Sequence, residues 1–506
     1  VPFAFGERTA GERTYLRRKS ERETKSERHA ERACSLTNRE AIDQTTQSKE
    51  FNMICRTLLK SLTLGALFTV AGLTILPQSA PAAAPEAYRK AWSDVSKRID
   101  EGIERNRKGD VAIEVVGENG QPVKDATLQI QQKSHAFLFG CNAFVLGQMG
   151  DKNQKYEEAF TRLFNFATVP FYWAGTEPVE GELRYAEGSR DIWRRPSPER
   201  FLAFAKKHDV TLKGHPLLWH AHNPPWLPKD PEQLKRLYQK RFREIAERFG
   251  KELTIWDVVN ESLVCPKNYQ LYSPGKEYVR WAFQEAVPLF PTENVMMINE
   301  VTEFNYPSMS QRYFDQIRAL VADGAQVRGI GFQYHYFRRA ALDKFLAGPN
   351  CNPGKMLDVY EQFAGFNLPL YVTEITIPSA GEDGEELQAE VVRDHYRLWF
   401  SAPKMAGITW WNLGDGTAVK GENEAQGGLM DGALEPKASY RALDKLINHD
   451  WKTNLSATTD AAGKAQFRGF YGKYTVKVTT RGVTKEFEVN LTKAGESHKL
   501  TLGNSK

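Results

Sequence analysis

The sequence predicts an α/β protein built on a (β/α)8 barrel, the TIM-barrel class, with a small accessory β-sandwich made from N- and C-terminal strands. Three observations carry this reading. Between about 135 and 450, eight apolar, β-rich runs alternate with amphipathic stretches, which is the size and rhythm of such a barrel. A polar or aromatic residue follows nearly every run, as expected where eight strand ends converge on one mouth. Short alternating strands stand on both sides of this region. A doubly wound open sheet shares the strand–helix rhythm, so the polar residues at the strand ends are what separate the two.

The first 84 residues are set apart. Residues 1–52 are rich in Arg, Glu, Ser and Thr and lack apolar periodicity; they read as a non-native upstream extension, the alternative being a disordered basic arm. Met53 then opens a basic stretch with Arg56 and Lys60, an apolar run from Leu62 to Leu76, and Ser79-Ala80-Pro81-Ala82-Ala83-Ala84. That is the pattern of a signal peptide over 53–84. It predicts a secreted protein, extracellular or periplasmic, with no stable membrane span after cleavage. Left uncleaved, the run is marginal for a span of roughly 20 residues.

Composition narrows the class. Hydrophobic residues make up 41% and charged residues 26%, ordinary globular usage. The net charge of +5 is misleading, because residues 1–52 and 53–84 each hold a surplus of two cations. The body is nearly neutral, so nothing electrostatic argues for nucleic acid. Five Cys exclude a disulfide scaffold. Removal of the leader leaves Cys141, Cys265 and Cys351, an odd number, so at least one thiol has no partner within the chain.

Residues 85–109 read as an N-terminal helix, with Ala91, Val95, Ile99 and Ile103 at spacing four and Gly109 as its stop. Val111 to Val116 and Ala126 to Ile130 alternate around Glu118-Asn119-Gly120, the pattern of a β-hairpin. After Leu455, short strands recur at Ala465 to Phe467, Gly472 to Val478 and Lys485 to Val489. Gly120-Gln121-Pro122-Val123-Lys124-Asp125-Ala126, Thr459-Asp460-Ala461-Ala462-Gly463 with Phe467, and Gly472-Lys473-Tyr474-Thr475-Val476 resemble successive parts of the carboxypeptidase-regulatory-like β-sandwich. The resemblance implies one sandwich split into 110–132 and 451–506, with a barrel over 133–450 inserted between. Two separate β appendages are the alternative. The segment has few aromatics beyond Phe470, Tyr471 and Tyr474, which favours bracing over carbohydrate binding.

The chemistry gathers at the strand ends. Ile255 to Val259 runs into Asn260-Glu261, and Leu370 to Val372 into Thr373-Glu374. Two Glu at the ends of the fourth and seventh strands face each other across a barrel mouth. They are the minimum for glycoside hydrolysis, one to protonate the leaving oxygen and one to attack or to activate water. Ile330 to Phe332 leads to Gln333 and His335, and Thr211 to Gly214 leads to His215, Trp219 and His220. Asn260 can hydrogen-bond a sugar hydroxyl, His335 can orient the nucleophile, and Trp219 and Trp411 offer faces to sugar rings. Trp410 and Trp411 alternate in direction, so at most one lines the site. Asp415 follows the last strand; Glu300 and Glu303 read as rim or structural residues.

Several segments together resemble family 10 of the glycoside hydrolases, the xylanase family. They are Gly214-His215-Pro216-Leu217-Leu218-Trp219-His220, Trp256-Asp257-Val258-Val259-Asn260-Glu261 and Gly329-Ile330-Gly331-Phe332-Gln333-Tyr334-His335, then Thr373-Glu374-Ile375, Gly407-Ile408-Thr409-Trp410-Trp411 and Glu435-Pro436-Lys437-Ala438-Ser439-Tyr440. The resemblance spans about 137–446. It implies a retaining endo-1,4-β-xylanase-like hydrolase acting by double displacement, with Glu261 as acid/base and Glu374 as nucleophile. It places His215, Trp219, Asn260, Gln333, His335 and Trp411 around the cleaved sugar, with no metal or cofactor and a polysaccharide as partner. Thr168-Val169-Pro170-Phe171-Tyr172-Trp173 departs from the family pattern, lacking its Glu, Asn and Lys. His222 stands where the family has Gln. These departures leave xylan the default substrate and a different or decorated glycan an open one.

Two other classes remain at this stage. His220-Ala221-His222 has metal-ligand spacing, as in a metal-dependent barrel hydrolase, but it follows the third strand rather than the first. A glycan-binding protein without catalysis is the other, against which both carboxylates are present.

Overall fold

A computed structural model describes residues 84–301, 307–492 and 494–503. The upstream segment 1–52, the leader 53–84 except Ala84, and Glu303 lie outside them. Among the described residues no helix is long and apolar enough to cross a membrane.

Eight parallel strands close on themselves. They are β3 (Leu138–Asn142), β4 (Phe166–Pro170), β5 (Thr211–His215), β7 (Ile255–Asn260), β8 (Val295–Val301), β9 (Gly329–His335), β10 (Leu370–Thr376) and β11 (Met405–Trp410). Each pairs with the next, β5 pairs directly with β7, and β11 pairs with β3 to close the ring. A two-residue strand, β6 (Leu218–Trp219), pairs in parallel with the end of β7 at the mouth. The helices between the strands bury one stripe each, as in α5 (Pro231–Phe249), where Leu234, Tyr238, Phe242, Ile245 and Phe249 are buried. Phe166, Ile255, Met297 and Tyr371 form a separate cluster inside the lower barrel, so the barrel is a packed core that opens only at one end. Gly214 is required by packing: a Cβ there would lie 2.1 Å from the Trp256 ring.

The flanking strands form two facing sheets. One is β13 (Lys464–Phe470), β1 (Lys108–Gly117) and β16 (Glu496–Leu502); the other is β12 (Asn454–Thr458), β2 (Thr127–His135), β14 (Gly472–Thr480) and β15 (Val483–Leu491). Both sheets therefore mix N- and C-terminal strands. The expected hairpin is absent: β1 pairs with β13 and β16, while β2 pairs with β12 and β14. The reason is burial. Val111, Ile113 and Val115 on β1 and Leu128 and Ile130 on β2 are all apolar and buried in one cluster. In a hairpin they would share one open face, whereas in opposed sheets each set covers the other. β16 carries no signal strong enough to be read from sequence.

The first helix, α1 (Glu86–Arg107), buries Tyr88, Trp92, Ile99 and Ile103 and packs on α10 (Gly384–Ser401). Ala91 and Val95 are only half-buried, because the two aromatics rotate the buried stripe. Arg107 ends this helix. Its guanidinium donates to the carbonyls of Phe400, Ala402 (2.6 Å) and Met405 (2.7 Å) and stacks 4.7 Å from Phe137. These groups sit where α10 ends and β3 and β11 begin, opposite the mouth. Tyr471 N–H on the sandwich donates to Arg107 O, and Lys473 pairs with Asp209 below β5. The sandwich thus braces the closed end of the barrel, and the two form one compact unit. Replacing Arg107 by Met leaves three carbonyls short of a donor. We expect a loss of about 3 kcal/mol in unfolding free energy, read from urea denaturation.

Candidate active site

All nine residues expected at the site line one cleft of 260 Å³ at the barrel mouth: His215, Trp219, His222, Asn260, Glu261, Gln333, His335, Glu374 and Trp411. Asn260, Gln333, His335 and Glu374 lie within their strands rather than just past them. Register shifts fall between Asp257 and Val259 on β7 and between Val372 and Glu374 on β10. Bulges at these points re-aim the side chains that follow. Glu261 comes next after β7 in a left-handed conformation, φ 57°.

Gln333 Nε2 is shared by both carboxylates, 3.0 Å from Glu261 Oε1 and 3.1 Å from Glu374 Oε1. Two oxygens at these distances from one atom are at most about 6 Å apart, near the roughly 5–5.5 Å of retaining glycosidases and below the roughly 6.5–9.5 Å of inverting ones. Glu374, 4% exposed, also accepts from Asn299 Nδ2 at 2.9 Å and faces His335 Nε2 at 3.2 Å. His335 is oriented from behind by Thr376 Oγ1 at 2.9 Å. Glu261 Oε2 accepts from Trp219 Nε1 at 3.1 Å. Asn260 Oδ1 accepts from Asn299 and Gln333, while its Nδ2 has no partner among the described residues.

A buried ionic group lies below. Asp257 Oδ2 accepts from Lys213 Nζ at 2.8 Å and from His215 Nδ1 at 2.6 Å, and His215 Nε2 lies 3.9 Å from Glu374 Oε1. Burial pushes the Asp257 carboxyl up, yet Lys213 and His215 outweigh it and hold the group below its ordinary value. Burial raises the Glu374 pKa, and His215 and Lys213 oppose the shift. Burial also raises that of Glu261, and the Glu374 charge adds to it.

Around the carboxylates the walls are aromatic. Trp411 stands edge-on to His215 and His335 at 5.8 and 5.9 Å, and Tyr172 lies 5.5 Å from Trp219. Trp410 turns away, buried, with Nε1 on Gly427 O. His222 packs 5.1 Å from Trp219, and His220 packs 5.9 Å from Trp219 and 6.3 Å from Tyr269. Among the described residues no group of three or more His, Cys, Asp or Glu is placed to hold a metal ion. Cys141, Cys265 and Cys351 are buried free thiols. Asp415 does not reach the cleft lining and pairs instead with Lys437 at 3.1 Å.

Sequence reading did not single out Lys213, Asp257, Asn299 or Thr376 as working parts, nor Tyr172, Arg194, Arg195 and Glu422 in the cleft wall. Asp257 and Lys213 sit inside apolar strands. A charge there must be paired, and that was the available signal. Gly331 makes room for Asn299: a Cβ on it would lie 2.5 Å from Asn299 Oδ1.

Glu300 is buried beside Glu261 and holds its loop. Its Oε1 accepts from the Ser262 hydroxyl and from Leu263 N–H at 3.0 Å, and Oε2 has no partner among the described residues. Burial lifts its pKa to about 8, against about 4.3 in an unfolded chain. The folded state therefore keeps a proton that the unfolded state releases. This contribution is full below about pH 4.3 and fades as pH rises towards 8, by up to about 1.4 kcal/mol per unit. Glu300→Gln should gain on the wild type by that slope between pH 5 and 8, measured by urea unfolding.

The model of glycosyl hydrolase family 10 matches residues 137–446. Endo-1,4-beta-xylanase B of Thermotoga neapolitana is 26% identical over 325 residues, 59% of this chain and 85% of that protein. The anti-sigma-I factor RsgI6 of Acetivibrio thermocellus is 24% identical over 416 residues, 81% of this chain and 50% of that protein, so the chain spans about half the length of that relative. Native xylanase 10B of Thermotoga maritima shares the fold, with a TM-score of 0.52 at 24% identity over 62% of this chain and 96% of that one. The match extends over more than half of the residues, the strands fall in the expected order, and the chain belongs to glycosyl hydrolase family 10.

Proposed function

We propose that this protein is a secreted, retaining glycoside hydrolase that cleaves β-1,4-linked polysaccharide of the xylan class by double displacement. The observation that carries the reading is the single Gln333 nitrogen between the Glu261 and Glu374 carboxylates. The gap suits direct attack on an anomeric carbon and leaves little space for a water between a base and the sugar. The family match and the xylanases among its relatives supply the substrate class. The leader-like segment over 53–84 supports the secretion part of the reading.

The two carboxylates divide their roles by their partners. Glu374 is surrounded by donors that favour its charged form, Asn299, Gln333 and His335, so it attacks the anomeric carbon. Glu261 has fewer donors and feels the charge of Glu374, so it carries the proton that the leaving oxygen needs. Attack expels the leaving group as an alcohol and forms a glycosyl ester on Glu374. Glu261, now ionised, takes a proton from water, whose oxygen displaces Glu374 from the sugar. Asn260 Nδ2 is free to donate to a sugar hydroxyl next to the reacting carbon, a contact that tightens in the transition state. Trp219 and Trp411 supply ring faces. No step calls for a metal, so activity should survive a chelator.

Glu374→Ala should reduce turnover of any aryl glycoside by at least about 10⁴-fold. Glu261→Ala should spare aryl glycosides with acidic phenol leaving groups at the first step, while losing xylan hydrolysis, because a good leaving group needs little protonation. Equal loss on both substrates in Glu261→Ala contradicts its acid role. No hydrolysis of xylan, glucan, mannan or aryl glycosides by the wild-type protein contradicts the enzyme reading in favour of a glycan-binding one.

A further inference from the structure

One wall of the cleft is cationic. Arg194 and Arg195 both line it, beside Tyr172 and Glu422. The Arg195 guanidinium lies 4.0 Å from the centre of the Tyr172 ring, and that ring packs 5.5 Å from His215 and 5.0 Å from His222. One aromatic ring thus separates this cation from the pocket of the cleaved sugar. The Arg195 stem rests against Gly175, where a Cβ would meet it at 2.9 Å, and Nη1 donates to Arg194 O at 2.7 Å. Stem and one nitrogen are fixed, so the head is held in place with donors to spare among the described residues. Arg194, 4% exposed, donates to Asn412 Oδ1 and Thr417 O, and its Nε has no partner among the described residues.

Charge in this wall is not balanced. Among the described residues neither arginine is ion-paired, and Glu422 is the acid that acts on both. His222 adds no charge at neutral pH, its pKa being pushed down to about 4 by burial and then by Arg195. Burial lowers the Arg195 pKa to about 10, which leaves it charged. Two cations therefore face one carboxylate in a partly desolvated wall, an arrangement that costs stability unless a ligand completes it. A guanidinium with unfilled donors fits a carboxylate in a two-pronged contact.

We propose that the cleft selects a β-1,4-linked glycan bearing a uronic-acid carboxylate on a sugar beside the cleaved one, and that Arg195 receives it. The proposal rests on the glycosidase reading above and narrows its substrate. Arg194 backs the contact with its charge. Tyr172 stacks the guanidinium and keeps it facing the cleft.

The test uses Glu261→Gln as a non-hydrolysing form, titrated calorimetrically at low salt. The probes are a xylo-oligosaccharide carrying glucuronic acid and the same compound after reduction of its carboxyl to the neutral alcohol. The acidic form should bind about 10–100-fold more tightly, and the ratio should fall as salt is raised. Adding Arg195→Met should collapse the ratio, and Arg195→Lys should restore part of it. Equal affinity for the two probes overturns the proposal, whether or not the arginine variants fold. An unchanged ratio in a folded Arg195→Met protein overturns it as well. A sulfated oligosaccharide that binds better than the carboxylated one contradicts the carboxylate assignment. Hydrolysis by the wild-type protein is read separately. Turnover of neutral xylan with no charge preference sinks this proposal alone. Charge-selective binding without turnover of any glycan sinks the glycosidase reading and upholds the anion contact.

Discussion

Two carboxylates share one amide nitrogen at the bottom of the cleft, and like charges held this close in a buried pocket cannot both ionise at low cost. The surrounding residues resolve the conflict unequally. Asn299 and Gln333 point donors at Glu374 and His335 faces it, while His215 and Lys213 below act against the rise of its pKa and Asp257 adds to it. Glu261 has Trp219 and its share of Gln333. On the proposed reading, this asymmetry makes a proton donor and a nucleophile from two identical side chains. It also means that the pair titrates as a unit.

The scaffold makes this geometry rigid. Each working residue stands on or next to a barrel strand, and the lower barrel is filled by Phe166, Ile255, Met297 and Tyr371. Below the filled end, Arg107 ties α1 to the end of α10 and the start of β11, and the sandwich packs there. The accessory sheets are therefore far from the chemistry along the barrel axis. Their contacts with the barrel are at its closed end.

Much of this was legible in the chain. Apolar runs ending in Asn260-Glu261, Gln333-Tyr334-His335 and Thr373-Glu374 located the mouth; a carboxylate after one strand is more often solvated or ion-paired, and it was the succession of such ends with their flanking motifs that carried the reading. The split sandwich followed from short turn motifs at both ends. The pairing of β1 and β2 did not follow, since alternation marks which face is buried and says nothing about which strand lies alongside. Glu374 and Asn260 were read as lying past their strands, whereas bulges keep them within or at the end of the ladder. Arg194 and Arg195 were missed because a surface-like segment, 191–200, folds inward; only the tertiary path brings it to Tyr172.

The most direct measurement is the anomeric form of the first product. Proton NMR of a xylo-oligosaccharide digest, recorded before mutarotation, separates the two stereochemical courses. Two carboxylates about 6 Å apart or less, one of them a nucleophile, predict that the new reducing end appears first as the β-anomer. Initial appearance of the α-anomer would show single displacement by water and would contradict the assignment of Glu374.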